Sequence, residues 1–415
     1  MKNKFIYLQQ KETKDLLLKI DIIYMKNIQL ETTSLNLKEI THTEKEIKNQ
    51  PKLWKEIYER ILAEKNSIAE YLNFVSSLEH LNILITGAGT SAFIGLTLVG
   101  SFKRNLKRNT SAVSTTDLVT HPLDYLDNET PVLLVSFARS GNSPESVAVT
   151  RIADEVCSKV YHLIITCDES GELARFKTSS PKYVFVLPSE ANDKGLAMTG
   201  SYSGMLLAGL LIARINNIES YSSQVDLLVS YGKKLLGLSS LFEQIAGFDF
   251  ERVVFLGSGP LFGTATESHL KIQELTDGKI ICKKDSFLGF RHGPRAVIDK
   301  KTILIMLFSN NQYVFKYEAD FAESLNAGEK PLYTLGIFEK HQKNLSLNNE
   351  VSLSDNNNIQ LDEEFLSVCF VLPAQMLGYF KSLRIGLNPD MPSKSGTISR
   401  VVTGVTIYPF NLEEK

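Results

Sequence analysis

The sequence feature that most constrains the fold is a short apolar run that ends in a glycine-rich turn and leads into a helix-like stretch. The run is ILI at residues 83–85, the turn is TGAGTS at residues 86–91, and the helix-like stretch covers residues 92–102. A run without polar alternation is typical of a strand buried on both faces, as in parallel sheets covered by helices. The unit therefore predicts an α/β fold with a parallel, doubly wound sheet.

The same unit recurs along the chain. In the second half, VVFLGSGPLFG begins at Val253 and repeats the arrangement of ILITGAGTSAFIG about 170 residues after its first appearance. Further apolar runs that read as strands lie at residues 132–137, 163–166, 183–187, 302–308 and 331–337. This repetition predicts two tandem copies of one fold.

The copies are predicted at residues 51–225 and 240–410, after an extension at residues 1–50 that is helical or partly disordered. Apolar positions at mostly helical spacing between residues 44 and 76 predict one or two amphipathic helices. Residues 1–24 precede a second methionine and are too polar and irregular to form a core of their own.

Composition excludes several classes of partner. The chain has 45 basic and 47 acidic residues without a long basic block, which argues against a nucleic-acid partner. The longest apolar run, Met205 to Ala213, is too short to cross a bilayer, and residues 1–20 lack the apolar core of a secretion signal. The four cysteines form no C-x-x-C pair, so we expect free thiols and a cytoplasmic location.

Two turns of the first copy combine glycines with hydroxyl groups. Residues 86–91 carry Ser91, and residues 139–143 carry Ser140 and Ser143 beside a positive residue. Turns at the carboxyl ends of parallel strands expose backbone N–H groups at helix N-termini, so one phosphate could bridge both. The alternative is an ordinary tight turn with a helix N-cap. The first turn lacks the lysine of a nucleotide P-loop and the spacing of a dinucleotide site, so neither ATP nor NAD is predicted.

The second copy carries candidate proton-transfer groups. Glu267, Lys271 and Glu274 stand at i, i+4 and i+7 of a predicted helix and share one stripe, which could also be an ordinary solvated face. The segment FLGFRHGP at residues 287–294 places His292 in a Gly/Pro loop. A partly buried glutamate can move a proton next to a carbonyl, and a histidine suits sugar ring opening.

Several longer motifs resemble the sugar isomerase (SIS) domain family, and most closely its tagatose-6-phosphate ketose/aldose isomerase or galactosamine-6-phosphate deaminase branch. The likeness covers about residues 50 to 410. The motifs that carry it are GAGTSAF at 87–93, SFARSGNSPES at 136–146, AMTGSYSGM at 197–205, ESHLKIQELTDGK at 267–279, FRHGP at 290–294 and NPDMPSKSGTISRVVTGV at 388–405. The same motif order resembles the isomerase half of glucosamine-6-phosphate synthase, but the glutaminase domain with its N-terminal cysteine has no counterpart here.

The resemblance implies site residues in both halves. For the phosphate it implies Gly89, Thr90, Ser91, Arg139, Ser140, Ser143, Thr199 and Ser201. For catalysis it implies Glu274 as the proton carrier, His292 for ring opening from the same or a neighbouring subunit, and Lys271 and Glu267 in support. The C-terminal tail closes over the sugar in this family, so Lys394 or Arg400 are candidate contacts. Ala138 stands where relatives often have a serine, with Arg139 as the candidate replacement for the lost hydroxyl.

These expectations lead to a sugar-phosphate isomerase that converts galactosamine 6-phosphate to tagatose 6-phosphate and ammonia, without a metal or other cofactor. We expect a homodimer or higher homo-oligomer. Two alternatives stay open: simple aldose/ketose isomerisation of an unaminated hexose 6-phosphate, and a non-catalytic sugar-phosphate sensor. The presence of Glu274 and His292, and the lack of a DNA-reading helix in the first 50 residues, favour an enzyme.

Overall fold

The computed structural model describes residues 41–341, 343, 345–354, 360–402 and 404–410, and the chain from His42 onward forms one compact unit. The prediction for residues 1–24 lies outside the described residues. Two amphipathic helices follow, α1 (His42–Ala63) and α2 (Lys65–Ser76), as predicted. Their apolar faces are buried, and the predicted boundary at residue 50 falls inside α1.

The first sheet has five parallel strands in the order β2-β1-β3-β4-β5. They are β1 (Asn82–Gly87), β2 (Asn109–Ala112), β3 (Val132–Ala138), β4 (Val160–Thr166) and β5 (Lys182–Val186). Every residue of β3 and β4 is buried, as their continuous apolar sequences predict. The edge strand β2 was not predicted, because its sequence NTSA has no apolar run.

The helices of the first half cover this sheet. They are α3 (Thr90–Leu106), α4 (Thr115–Thr120), α5 (Pro144–Val156), α6 (Glu172–Arg175) and α7 (Gly200–Ile212). The longest apolar run of the sequence falls in α7, in which every residue is buried. Two helices, α8 (Ser222–Gly237) and α9 (Ser239–Ala246), then lead to the second half.

The second sheet repeats the first. Its strands are β6 (Arg252–Gly257), β7 (Ile281–Asp285), β8 (Thr302–Leu307), β9 (Tyr333–Phe338) and β10 (Asn349–Ser352). All are parallel and lie in the order β7-β6-β8-β9-β10, which is the order of the first sheet. Its helices are α10 (Pro260–Leu275), α11 (Phe287–Phe290), α12 (Gln312–Ser324), α13 (Glu363–Cys369) and α14 (Leu372–Arg384). The prediction of two tandem doubly wound sheets is confirmed.

The repetition extends to backbone angles. Gly89, after β1, has φ 54° and ψ −127°, and Gly259, after β6, has φ 55° and ψ −126°. A positive φ strains any residue with a Cβ atom, so both turns need glycine at this position. The two turns therefore direct α3 and α10 away from their strands in the same way.

The stretch Glu363–Arg384 is long and apolar enough to cross a bilayer by composition alone. In the structure it forms α13 and α14, and 89% of its most apolar window is buried inside the protein. It is therefore a core element of the fold. All four cysteines are free thiols, as predicted, and three of them are buried.

Helices α3 and α10 pack closely across the contact between the two halves. A Cβ atom on Gly263 of α10 would lie 2.2 Å from Thr97 Oγ1 and 2.8 Å from the Thr97 backbone nitrogen. The Thr97 hydroxyl donates a hydrogen bond to the Pro260 carbonyl at 3.0 Å. The missing side chain at Gly263 therefore sets the distance between the two helices.

We predict that Gly263→Ala lowers the free energy of unfolding by roughly 1–3 kcal/mol, because the added methyl group overpacks this contact. The measurement is urea denaturation of the variant beside the wild type. Gly237→Ala is the matched control, since a Cβ at Gly237 would have no neighbour within 4 Å. We expect that control to be neutral or stabilising by about 0.4–1 kcal/mol. Equal stability of Gly263→Ala and wild type would contradict the prediction.

Candidate active site

A cavity of about 410 Å³ lies at the carboxyl ends of β1 and β3. These two strands are neighbours in the sheet, and the chain leaves them toward opposite edges, to β2 and to β4. Such a switch in strand order opens a crevice, which is where ligands of doubly wound sheets bind. The topology therefore accounts for the position of the cavity.

The two predicted turns form one wall of the cavity. Gly89, Thr90 and Ser91 begin α3, and Ser140 and Ser143 precede α5. The first N–H groups of a helix have no acceptor within the helix, and the helix dipole adds partial positive charge there. Two such helix ends at one cavity favour an anion. Ser146, one turn into α5, also lines the cavity and was not predicted, although its i+3 spacing from Ser143 puts both on one helix face.

Arg139 also lines this wall, but its guanidinium donates mainly to backbone carbonyls. It donates to the carbonyl of Leu196 at 3.1 Å, more weakly to that of Gly195, and to that of Arg400. Burial lowers the pKa of Arg139 below its ordinary value, and the nearby Arg400 lowers it further. Arg139 thus brings positive charge to the cavity and also holds the C-terminal tail.

The C-terminal tail covers the cavity with residues 396–400 and Val402. Arg400 donates from Nε to the carbonyl of Asp193 at 2.8 Å and from a terminal nitrogen to Asn192 Oδ1 at 2.5 Å. Lys394 is exposed and does not line the cavity. Of the two predicted tail contacts, the structure brings only Arg400 to the site.

The opposite wall is the end of α10. Glu274 lines the cavity, and its side chain is 22% exposed. Lys271 Nζ lies 2.6 Å from a Glu274 carboxylate oxygen, 3.1 Å from a Glu267 carboxylate oxygen and 3.1 Å from Thr90 Oγ1. The solvated-face alternative is therefore wrong for these residues, because Glu267 and Lys271 have fully buried side chains. The helix places one carboxylate in the cavity and buries its two supporting charges.

Burial and charge oppose each other in this cluster. Burial raises the pKa of Glu267 to about 8, and Lys271 opposes that rise. Burial alone lowers the pKa of Lys271, but the Glu267 and Glu274 carboxylates together raise it above its ordinary value. Lys271 is therefore held as a cation, and its charge stabilises the neighbouring carboxylates.

Thr199 and Ser201 lie outside the cavity. The Asp193 carboxylate accepts hydrogen bonds from the Thr199 N–H at 2.8 Å, the Ser201 N–H at 2.9 Å and both hydroxyl groups. Both residues are fully buried. An internal carboxylate thus occupies the N-terminus of α7, and we leave these two residues out of the proposed phosphate site.

His292 is exposed and does not line the cavity of its own chain. Leu288, one turn earlier, is also 48% exposed. A short 3₁₀ helix follows at Gly293–Val297. The structure of one chain therefore separates His292 from Glu274, which leaves its contribution from a neighbouring subunit as a prediction.

Fold and site together define a tandem sugar isomerase architecture with a cavity at the first switch point, lined by two helix N-termini and the Glu274 carboxylate. The SIS domain family matches residues 79–214, which contain the first sheet. The D-galactosamine-6-phosphate deaminase AgaS from Escherichia coli O157:H7 is 37% identical over 373 residues, covering 89% of this chain and 96% of the relative. The chain therefore belongs to the SIS domain family, in the branch that contains AgaS.

Solved structures agree with this assignment. One from Clostridium novyi NT has 40% sequence identity and a TM-score of 0.86, and covers 89% of this chain and 95% of that chain. The tagatose-6-phosphate ketose/aldose isomerase from Escherichia coli has 35% identity and a TM-score of 0.80, with coverage of 89% and 97%. Both similarities span the two sheets.

We predict that Lys271→Met lowers the free energy of unfolding by about 3–5 kcal/mol, because it leaves the buried Glu267 side chain and the Glu274 carboxylate without their cation. The loss should grow between about pH 7 and about pH 9. Glu267 has a pKa above its ordinary value of 4.5 in the folded state, so the folded state holds the extra proton and stability falls as pH rises. Without Lys271 that pKa is higher still, and the fall continues to higher pH.

The measurement is urea denaturation at both pH values. Lys52→Met is the control, because Lys52 forms an exposed pair with Glu56 at the same i, i+4 spacing. Such surface pairs contribute about 0–1 kcal/mol. A Lys271→Met loss no larger than that of the control, or independent of pH, would contradict the prediction.

Proposed function

We propose that this chain converts galactosamine 6-phosphate to tagatose 6-phosphate and ammonia. The observation that carries the proposal is that Glu274 lines the same cavity as both phosphate-binding turns. A phosphate held by the turns of the first half would extend its sugar toward the end of α10. The name of the Escherichia coli O157:H7 relative, a D-galactosamine-6-phosphate deaminase, supports this substrate.

In the proposed site, Gly89 and Thr90 bind the phosphate with backbone N–H groups, and Ser91 binds it with its hydroxyl, because the Ser91 N–H already donates to the Ala88 carbonyl at 3.1 Å. Ser140 and Ser143 bind it from the second turn. Helix N-termini attract a dianion without a bound cation, so the sugar phosphate can be anchored by the chain alone. Arg139 and Arg400 add positive charge at the edge of the cavity.

The proton transfer follows from the position of Glu274. After ring opening, its carboxylate removes the proton from carbon 2 of the aldehyde form, the carbon 1 oxygen takes a proton from the ammonium group on carbon 2, and an enol-amine forms. The same carboxyl group returns the first proton to carbon 1, which leaves a protonated imine at carbon 2. Water adds to this imine, and ammonia leaves as ammonium when the ketone forms. Carbon 1 is reduced and carbon 2 is oxidised within one molecule, so no external electron acceptor is required.

Lys271 supports this step as a buried cation. It lies 2.6 Å from Glu274, so it limits the directions in which that carboxylate can point. Glu267 is a second oxygen neighbour of the Lys271 ammonium group, at 3.1 Å. The proposed roles are proton carrier for Glu274 and orientation for Lys271 and Glu267.

A second candidate is the simple aldose/ketose isomerisation of an unaminated hexose 6-phosphate. The Escherichia coli structure described as a tagatose-6-phosphate ketose/aldose isomerase favours it. It would use the same phosphate turns and the same Glu274, and would stop at the ketose without loss of ammonia. A sensor role is disfavoured, because it would need no carboxylate at the end of α10. We further propose a cytoplasmic homo-oligomer, in keeping with the four free thiols.

We predict that Glu274→Gln reduces the turnover of galactosamine 6-phosphate by about 100-fold to 10,000-fold, because the amide cannot carry the proton. KM should change little, since the phosphate turns are intact. The measurement is release of ammonia and of ketose phosphate. Glu243→Gln, an exposed change on α9, is the control. Full activity in Glu274→Gln would exclude Glu274 as the base. Formation of ketose phosphate from an unaminated hexose 6-phosphate would favour simple aldose/ketose isomerisation.

We predict that His292→Ala and Glu274→Gln complement each other in mixed oligomers. Each variant alone should have strongly reduced activity, because one lacks the ring-opening group and the other the proton carrier. If a neighbouring subunit supplies His292, co-expression of the two variants creates some sites with both intact residues. Activity in the co-purified hetero-oligomer would support a shared site. The control is an oligomer of two differently tagged Glu274→Gln chains, which should gain no activity. An inactive hetero-oligomer would place both groups in one chain or exclude His292.

A further inference from the structure

Thr90 lies at the junction of the phosphate turn and the proton-transfer cluster. It is the first residue of α3, lines the cavity and is only 4% exposed. Its hydroxyl oxygen accepts a hydrogen bond from Lys271 Nζ at 3.1 Å. One side chain of the first half therefore reaches the buried cation of the second half.

The contact with Thr90 differs in origin from the other two contacts of Lys271. The ammonium group has three N–H donors and three neighbours with oxygen atoms: Glu267, Glu274 and Thr90. The two glutamates lie on the same helix as Lys271, and Thr90 is the one of these three neighbours that the first half supplies. The hydroxyl therefore ties the ammonium group to the turn of the first half.

The Thr90 hydroxyl and Glu267 share Lys271 as their neighbour. Burial raises the pKa of Glu267, and the Lys271 charge opposes that rise. The hydroxyl oxygen accepts from Lys271 and keeps its own O–H as a donor. The backbone N–H of Thr90 remains with the first turn of α3, where helical N–H groups have no internal partner.

We propose that Thr90 is a positioning residue for the proton transfer: its hydroxyl fixes Lys271, and Lys271 fixes Glu274. This inference rests on the proposed function of Glu274. In this proposal the two parts of Thr90 have different roles. Its backbone N–H binds the phosphate, and its side chain positions the base through Lys271. The turn that holds the substrate and the carboxylate that acts on it are then joined by one chain of contacts.

The inference predicts a separation of kinetic constants. Thr90→Val keeps the shape of the side chain and removes the hydroxyl, so Lys271 loses its acceptor from the first half. An unsatisfied buried donor of this kind should reduce kcat by about 10-fold to 100-fold, with KM for the sugar phosphate within about twofold. Thr90→Ser retains the hydroxyl and should recover most of the lost kcat. Ser91→Ala, which changes a proposed phosphate contact, should instead act mainly on KM.

Thr97→Val is the matched control. Thr97 lies on the same helix, is 2% exposed, and also donates a hydrogen bond across the contact between α3 and α10. Its hydroxyl reaches the Pro260 carbonyl and not Lys271, so Thr97→Val should test packing alone and leave kcat near that of wild type. Thermal unfolding of each variant establishes that the folded fractions are equal. If Thr90→Val does not fold, Thr90→Ala and Thr90→Ser provide the same comparison.

The outcomes separate this inference from the proposed function. An unchanged kcat in Thr90→Val, an equal loss in Thr97→Val, or a rise in KM without a loss of kcat would each overturn the positioning role. A loss of kcat that Thr90→Ser restores and Thr97→Val lacks would support it. A wild-type chain that forms neither ammonia nor ketose phosphate from either class of hexose 6-phosphate would instead contradict the proposed function.

Discussion

The buried charge of Lys271 is the interaction on which the arrangement of the site depends. An ammonium group without solvent contact is stable only beside compensating acceptors, and here they come from both halves: Glu267 and Glu274 on its own helix and Thr90 on α3. The close packing of the two helices at Gly263 brings these groups together. Packing and electrostatics therefore fix the same distance, and the Glu274 carboxylate faces the cavity as a result.

The two sheets have the same strand order, but the backbone N–H groups at their switch points have different surroundings. The strand register gives the equivalent positions. Gly87 of β1 pairs with Phe137 of β3, and Gly257 of β6 pairs with Leu307 of β8. Two residues further along, Ser309 after β8 therefore corresponds to Arg139 after β3. The Ser309 N–H donates to a buried Glu318 carboxyl oxygen at 2.8 Å. Burial raises the pKa of Glu318 to about 8. A side chain of the protein thus accepts from a backbone N–H of the second half whose counterpart in the first half lies in the proposed phosphate turn.

Much of the fold could be predicted from the sequence because the central strands are buried on both faces and end in glycine turns. The edge strands β2 and β7 could not, since polar residues dominate them and their pairing is set by the neighbouring strand. Thr199 shows what could not be predicted about the site. Its N–H and hydroxyl donate to the Asp193 carboxylate. The local sequence does not show the direction of that carboxylate. The proposed role of His292 requires a second chain, which one sequence does not reveal.

The same physical rule explains which helix N-termini can bind substrate. Free N–H groups at the start of a helix attract whichever oxygen acceptor the fold supplies, and an internal carboxylate has the advantage of being covalently tethered. Asp193 satisfies α7 in this way. The starts of α3 and α5 at the first cavity instead face the open space beneath the tail, with Arg139 and Arg400 at its edge. Burial and the charge of Arg400 lower the pKa of Arg139, and the charge of Asp193 opposes them. Because Arg139 donates to the Arg400 carbonyl, the guanidinium group that brings charge to the cavity also holds the tail over it.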